Sequence, residues 1–267
     1  MESSYYAKIP LFHIYARWRC FDGHLDRSPG AWQYYLMNIV VVGATGGIGT
    51  ALTHQLETDG HRLFTISRKN PRSDAQCDIT DPSAVRSTFE RMAESGFAPD
   101  CIIIASGVFE DDLVPQYDRA LLDKNFAVNF FGALNVIDAA LPYFRSASKG
   151  HVIALSSIAA WRPNSRGVGY PASKAALANA MRGFDLAYRH VGIAFSVVHL
   201  GPVRTDMWEG GDSFLAASPE KIARAIATLV RSRKSVLYAP FFSTMLARIA
   251  LLIPDRLYMT VRKILLG

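Results

Sequence analysis

Tyr170 is followed four positions later by Lys174 and preceded thirteen positions earlier by Ser157. A phenol, an ammonium and a hydroxyl are groups that give, take and steer protons. If the chain is helical from Tyr170 onward, a four-residue step puts Tyr170 and Lys174 on one face, one turn apart, and couples their protonation states. Pro171 lies between them. In a first turn a proline costs nothing, because that amide has no helical partner, so the helix is expected to start close to Tyr170. Ser157 ends the apolar run HVIALSS, which puts its hydroxyl at the carboxyl end of a buried strand.

A second chemical feature lies upstream. Gly43, Gly47 and Gly49 stand at GxxxGxG spacing within NIVVVGATGGIGTALTHQLETDG, which starts at Asn38 and reads as strand, glycine turn and helix. Glycines there let the backbone turn sharply and approach a pyrophosphate, whose charge then sits at the positive end of the helix. A merely tight turn is the competing reading, and the strand-turn-helix setting weighs against it. The second strand ends FTISRK. Where dinucleotide folds that use NAD present an acidic residue, this chain has Ser67, then Arg68 and Lys69. A carboxylate would repel a 2′-phosphate and these cations attract it, so NADP is expected ahead of NAD. Surface ion pairing is the plainer use of Arg68. Asp78, in CDIT, can accept from an adenine amino group or cap the helix that begins near Pro82, although Asp81 is better placed for the cap.

The elements that must position these groups alternate along the chain. RLFTIS, CIIIAS, HVIALSS and IAFSVVHL read as strands. SAVRSTFERMAESG, a long stretch from about Leu121 to Phe144, and Pro171 to His190 read as helices. Strands that are apolar throughout and separated by helices imply a parallel sheet covered on both faces, an α/β doubly wound fold. Residues 1–36 are aromatic and irregular, without the apolar core of a signal peptide. They are expected to be a poorly ordered extension, either an artefact of choosing an upstream start, with Met37 as the working initiator, or a segment whose aromatics dock on the domain or a membrane. Residues 37–237 are expected to form the catalytic domain. From 238 to 267 the chain is rich in large apolar side chains, in runs too short to span a bilayer. Leu257, Tyr258, Val261 and Leu265 share one helical face there, which suits a helix pair closing over a pocket or dimer seam, or an interfacial anchor with cationic flanks.

The 267 residues suit one large α/β domain as well as two small ones; half are hydrophobic and 19% are charged. The net charge of +6 is spread along the chain without a basic run, so no nucleic-acid partner is expected. Cys20, Cys77 and Cys101 are far apart, with no CxxC or HExxH pattern, which points to reduced thiols in a cytoplasmic protein and to no bound metal.

Taken together, GATGGIG, Asn129 in AVNFFG, Ser157, YPASK and GPVRTDM resemble the classical short-chain dehydrogenase/reductase family, over roughly Asn38 to Met207. The resemblance implies a single-domain Rossmann fold with a seven-stranded parallel sheet and helices on both faces. It implies an NAD(P)-dependent oxidoreductase that interconverts a ketone and a secondary alcohol, and commonly a homo-oligomer. Carried over by position, Tyr170 is the general acid and base, Lys174 favours the phenolate as the oxidised nicotinamide does, Ser157 orients the carbonyl, and Asn129 disturbs its helix and holds a water beside Lys174. The coenzyme is expected against Gly43, Thr45, Gly46, Gly47, Ile48 and Gly49 in the turn, and against Ser67, Arg68 and Asp78. Ser106, Gly107, Tyr170, Lys174, Val203 and Thr205 complete that set.

Each residue also has a plain structural reading, as a packed helix start, a solvated charge, a strand-end hydroxyl or a helix-surface amide. Their order and spacing favour the chemical one. The chain departs from the family pattern at Val42, at IASG from Ile104 to Gly107, and at Leu200-Gly201, which bears on coenzyme affinity more than on chemistry. WEGGDSFLAA, Trp208 to Ala217, falls where the family has its substrate-covering loop. With Val108, Phe109, Trp161 and the apolar C-terminal segment, it suggests a small apolar or lipid-like carbonyl substrate, with peripheral membrane contact as a further reading. The rival class is a dinucleotide-sensing regulatory protein without catalysis, which has no need of Tyr170 and Lys174.

Overall fold

In the computed structural model the described residues are 36–113, 115–162, 167–207 and 216–254. The expected extension therefore lies outside them, apart from Leu36, as does the apolar stripe from Leu257 to Leu265. The elements run β1 Asn38–Val42, α1 Gly47–Thr58, β2 Arg62–Ser67, β3 Ala75–Gln76, α2 Pro82–Glu94 and β4 Cys101–Ile104. There follow α3 Arg119–Phe126, a π-helical segment Ala127–Gly132, α4 Ala133–Ala147, β5 Gly150–Ser157, a 3-10 turn Ile158–Trp161 and α5 Gly169–Tyr188. β6 Ile193–Leu200, α6 Pro219–Ser232, β7 Val236–Ala239 and α7 Phe241–Ala250 complete the order.

The seven strands lie side by side as β3-β2-β1-β4-β5-β6-β7, all parallel. This is the doubly wound sheet the sequence predicts. Buried on both faces, its central strands have no polar face to show, hence Cys101–Ile104 is wholly apolar and buried. One face packs Val40, Ile102 and Val152 against Phe89, Ile137, Phe144 and Leu177 of α2, α4 and α5. The other packs Ile39, Ile103 and Ile153 against Leu52, Leu56, Ile222 and Ile226 of α1 and α6. The order reverses between β1 and β4. Their diverging connections open a crevice at the carboxyl ends of the strands, where such folds take ligands.

Local rules set the helix ends. Asp81 caps α2 by accepting from the Ser83 and Ala84 amides, with Pro82 in the first turn. Ser218 caps α6 before Pro219. The stretch expected to be one helix is continuous from Arg119 to Ala147 and carries its π segment in the middle. An 18-residue window of it reaches the mean hydropathy of 1.2 that a membrane span would need, but Val136, Ile137, Ala140 and Phe144 are buried in the core.

The apolar C-terminal segment begins inside the sheet, because Tyr238 and Ala239 pair with His199 and Leu200. Beyond it α7 buries Ser243 and Thr244 and exposes Phe241, Phe242 and Ile249, with Leu252 exposed just after it.

The amino ends of the strands are locked by polar groups. His151 on β5, 1% exposed, meets Ser196 Oγ across the strand pair at 2.7 Å. Arg233, at the end of α6, donates to the carbonyls of Gly150 and Gly192. Burial, with Arg233 adding repulsion, drives the His151 imidazole down to about 3. The unfolded chain therefore takes up a proton on this residue near pH 6.5 that the folded protein refuses until about 3. Stability is lost as pH falls across that window, at up to about 1.4 kcal/mol per pH unit for one proton. In urea titrations, His151→Gln is expected to flatten the acid limb of stability between pH 6.5 and 3 by up to one proton; an unchanged slope would contradict the assignment.

Candidate functional site

The glycine turn is built by close approaches. Gly43 sits at φ +85°, and a Cβ there would lie 2.6 Å from the backbone nitrogen of Ser106; at Gly49 a Cβ would lie 2.0 Å from the Gly43 carbonyl oxygen. Only glycine fits either place. The turn thus closes against the end of β4, and the N-terminus of α1 is left with Gly46 as its cap residue and no side-chain acceptor. Thr45, Gly46 and Gly47 are exposed there, with Ile48 half-buried. The loop after β6 reaches the same point, since a Cβ on Gly47 would lie 2.8 Å from Thr205 Cγ2. Val203, two residues earlier, is buried and bridges to Ala217. Arg204 donates to the Ala216 carbonyl at 2.6 Å. The base of the expected substrate-covering loop is therefore closed; its residues 208–215 lie outside the described ones.

At the end of β2 the expected coenzyme contacts behave differently from one another. The Ser67 hydroxyl is turned inward, donating to Asn70 O and accepting from the Asn70 amide and from Ser73 Oγ at 2.8 Å. Arg68 is exposed. Asp78 accepts from the Thr80 amide and hydroxyl, which hold its carboxyl below the usual range, with Arg68 adding attraction. Arg68 and Asp78 therefore sense each other at the end of β2. The Ser106 hydroxyl is buried without a hydrogen-bond partner. A buried polar group without a partner, next to the glycine turn, is one that a further group could satisfy.

The Tyr170, Lys174, Ser157 and Asn129 side chains converge at the carboxyl end of β5. Tyr170 is the second residue of α5, as Pro171 implied. Its phenol lies near enough to the Ser157 hydroxyl for that group to act on its protonation. Ser157 Oγ also accepts from the Ala159 amide at 3.1 Å, starting the 3-10 turn. Phe109 stands edge-on to the Tyr170 ring, centroids 4.9 Å apart. Lys174 is buried. Its Nζ donates to the Leu155 carbonyl at 2.9 Å and lies 5.9 Å from the Tyr170 ring centroid.

Burial brings the ammonium down to about 8 and holds the phenol above its ordinary value, with the Ser157 hydroxyl working the other way. The lowered phenol expected from a neighbouring ammonium is therefore not a property of this chain alone. Desolvation dominates both groups.

Asn129 occupies the π segment, as the expected helix disturbance. Its amide oxygen accepts from the Val108 amide at 2.8 Å, and its nitrogen donates to the Val108 carbonyl and to Ser173 Oγ. Gly107 lets it meet the lysine: a Cβ there would lie 3.2 Å from both Asn129 Oδ1 and Lys174 Nζ.

Three residues of this neighbourhood were not singled out from the sequence. Ser173, inside YPASK, bonds Tyr170 O and accepts from Asn129. Ser156 donates to the Lys174 carbonyl at 2.9 Å and ties β5 to α5. His199 packs between Trp161 and Tyr238, at 4.8 and 5.6 Å. The signal for Ser173 was present, a small hydroxyl between tyrosine and lysine; His199 looked like one more residue of an apolar strand. Trp161 is held there, and the adjacent Arg162 donates to the Ala250 and Ile253 carbonyls of the C-terminal segment. Among the described residues no group of three histidine, cysteine or acidic side chains could hold a metal ion.

The family model for short-chain dehydrogenases matches residues 37–214. The chain is 26% identical over 185 residues to an uncharacterized oxidoreductase of Staphylococcus epidermidis, covering 65% of this chain and 80% of that one. It is 26% identical over 178 residues to the 3-oxoacyl-(acyl-carrier-protein) reductase MabA of Mycobacterium tuberculosis, covering 64% and 70%. Its fold is similar to that of a short-chain dehydrogenase of Burkholderia cenocepacia solved with NADP, at a TM-score of 0.74, 21% identity and coverage of 88% and 100%. It is also similar to the ligand-free aldohexose dehydrogenase of Thermoplasma acidophilum, at 0.70 and 18%, covering 77% and 93%. With the glycine turn, the seven-stranded sheet and the YPASK helix in place, the chain belongs to the short-chain dehydrogenase/reductase family of NAD(P)-dependent oxidoreductases.

Proposed function

We propose that the protein is an NADP-dependent oxidoreductase that interconverts a ketone and a secondary alcohol, with Tyr170 as its general acid and base. The observation that carries this reading is the convergence of Tyr170 and Ser157 at the strand end beside a buried Lys174, whose Nζ lies 5.9 Å from the Tyr170 ring centroid. A sensor would have no use for an ammonium kept dry at such cost. The glycine turn, the open N-terminus of α1, Thr205 beside Gly47 and the buried Ser106 hydroxyl fit a dinucleotide. When bound, the nicotinamide supplies or accepts the hydride.

The chain's own groups do the rest. The Ser157 hydroxyl orients the carbonyl oxygen, and the Tyr170 phenol gives that oxygen a proton in reduction and takes it back in oxidation. Lys174 stabilises the phenolate left behind. Asn129 and Ser173 hold the Lys174 side of the site and the loop at Val108, where a water held beside Lys174 by Asn129 would carry protons outward. Arg68 would meet a 2′-phosphate. Phe109, Trp161 and the apolar face of α7 support an apolar or lipid-like substrate, a reading in keeping with a relative named for an acyl-chain carbonyl. The exposed row of Phe241, Phe242 and Ile249 supports contact of that segment with a second copy or a lipid surface.

Following NADPH absorbance against carbonyl compounds of graded chain length, Tyr170→Phe is expected to lower kcat by about 10²- to 10⁴-fold while NADPH affinity stays within about twofold. Retained turnover would refute the role. Arg68→Ala is expected to weaken NADPH binding about 10- to 100-fold, the loss of one charge-assisted contact, and to leave NADH binding unchanged. Equal losses for both coenzymes would exclude a 2′-phosphate contact. As pH rises, the first proton lost in the pair comes from Lys174, near 8, because the phenol titrates above its ordinary value. The reduction rate is therefore expected to fall above about pH 8, and in Lys174→Arg, whose charge persists, the falling limb should move upward. An unmoved limb would assign it to another group.

A further inference from the structure

Asp112 carries a carboxylate that is completely buried and unused by the chemistry proposed above. It stands in the loop between β4 and α3. One of its oxygens accepts from the Val168 amide and the other from the Gly169 amide, both at 2.6 Å. These are the first N–H groups of α5, whose own cap residue, Val168, offers no acceptor and whose first turn contains no acidic side chain. A helix start leaves its N–H groups without internal partners and presents the positive end of the helix dipole, so a carboxylate from elsewhere satisfies both demands at once. The approach is tight. A Cβ on Gly169 would lie 2.5 Å from Asp112 Oδ2, and one on Gly167 3.0 Å from Oδ1.

The loop that brings this carboxylate is itself pinned at alternate residues. Asn129 bonds both backbone groups of Val108. Asn125, one helical turn earlier, accepts from the Glu110 amide and donates to the Glu110 carbonyl. The Asp112 carbonyl accepts from the Asp118 amide, at the start of α3. Between these pins Phe109 turns to the Tyr170 ring. One short segment thus walls the phenol and holds the end of the helix that bears it.

We infer that Asp112 is a positioning residue for Tyr170: its two oxygens fix where α5 begins, and through the next residue where the phenol stands. The inference rests on the reading of Tyr170 as the acid and base. Displacing a reacting group by an ångström costs far more rate than binding, so the loss should fall on kcat.

The test compares Asp112→Asn, of equal size but with a donor where one acceptor stood, and Asp112→Ala with Tyr170→Phe and the unaltered chain. The substrate is the carbonyl compound of the graded panel that the unaltered chain reduces fastest. Well below the unfolding temperature, kcat of both Asp112 variants is expected to fall about tenfold or more, with KM and the NADPH dissociation constant within about twofold. Hydrogen exchange in D112N should quicken in the first turn of α5 and stay unchanged in the rest of that helix. Should D112A fail to fold, D112N and its exchange pattern decide. A full kcat in D112N beside an inactive Y170F overturns the inference alone. Loss of NADPH affinity together with faster exchange across the whole domain overturns it in favour of a general structural role. Retained turnover in Y170F instead overturns the reading of Tyr170 on which the inference rests.

Discussion

An ammonium kept away from water governs the design of this molecule. Lys174 is buried at the end of a parallel sheet, with the Leu155 carbonyl as its hydrogen-bond partner. Desolvation pushes a lysine toward neutrality, and only well-placed oxygen atoms keep it charged. The strand ends of β5, the packing of α5 and the close pass at Gly107 serve that placement. A lysine on the solvent side of α5 would keep its full charge and bring no field to the phenol, because water would screen it.

The second constraint is contact between backbones. β1 and β4 are neighbours at the point where the strand order reverses, and the turn after β1 must pass over the loop after β4. Gly43 and Ser106 come so close that a methyl group at the former has no room. This proximity brings the glycine turn, Thr205 and the β5 end into one crevice. The departures from the family pattern, Val42 and IASG, leave that backbone path intact. What they remove is side-chain hydrogen bonding at Val42, Ile104 and Ala105.

Much of this arrangement was legible in the residues. RLFTIS and IAFSVVHL are bounded as β2 and β6 are, because a buried strand carries an apolar run that stands out between its polar flanks. Pro171 announced the start of α5 and Asp81 the cap of α2, both through local chemistry. The partners that act across the chain were not legible. Asp112 meets the amides of α5 from 56 and 57 positions away, and no spacing rule links them. The two-residue β3 and the four-residue β7 are too short to show a period of their own. The protonation of the pair was read from proximity alone, whereas burial sets it, and burial is a property of the whole fold.

The π segment at Ala127–Gly132 has a consequence beyond the amide it contains. A residue inserted into an α-helix turns everything after it by about 100° around the axis. Asn125 and Asn129 face the loop at Val108 and Glu110, whereas Val136, Ile137, Ala140 and Phe144 face the sheet. The inserted residue is what allows one continuous rod to serve two azimuths. Shortening it by a single position would leave the rod intact and force a choice between gripping the loop and filling the core.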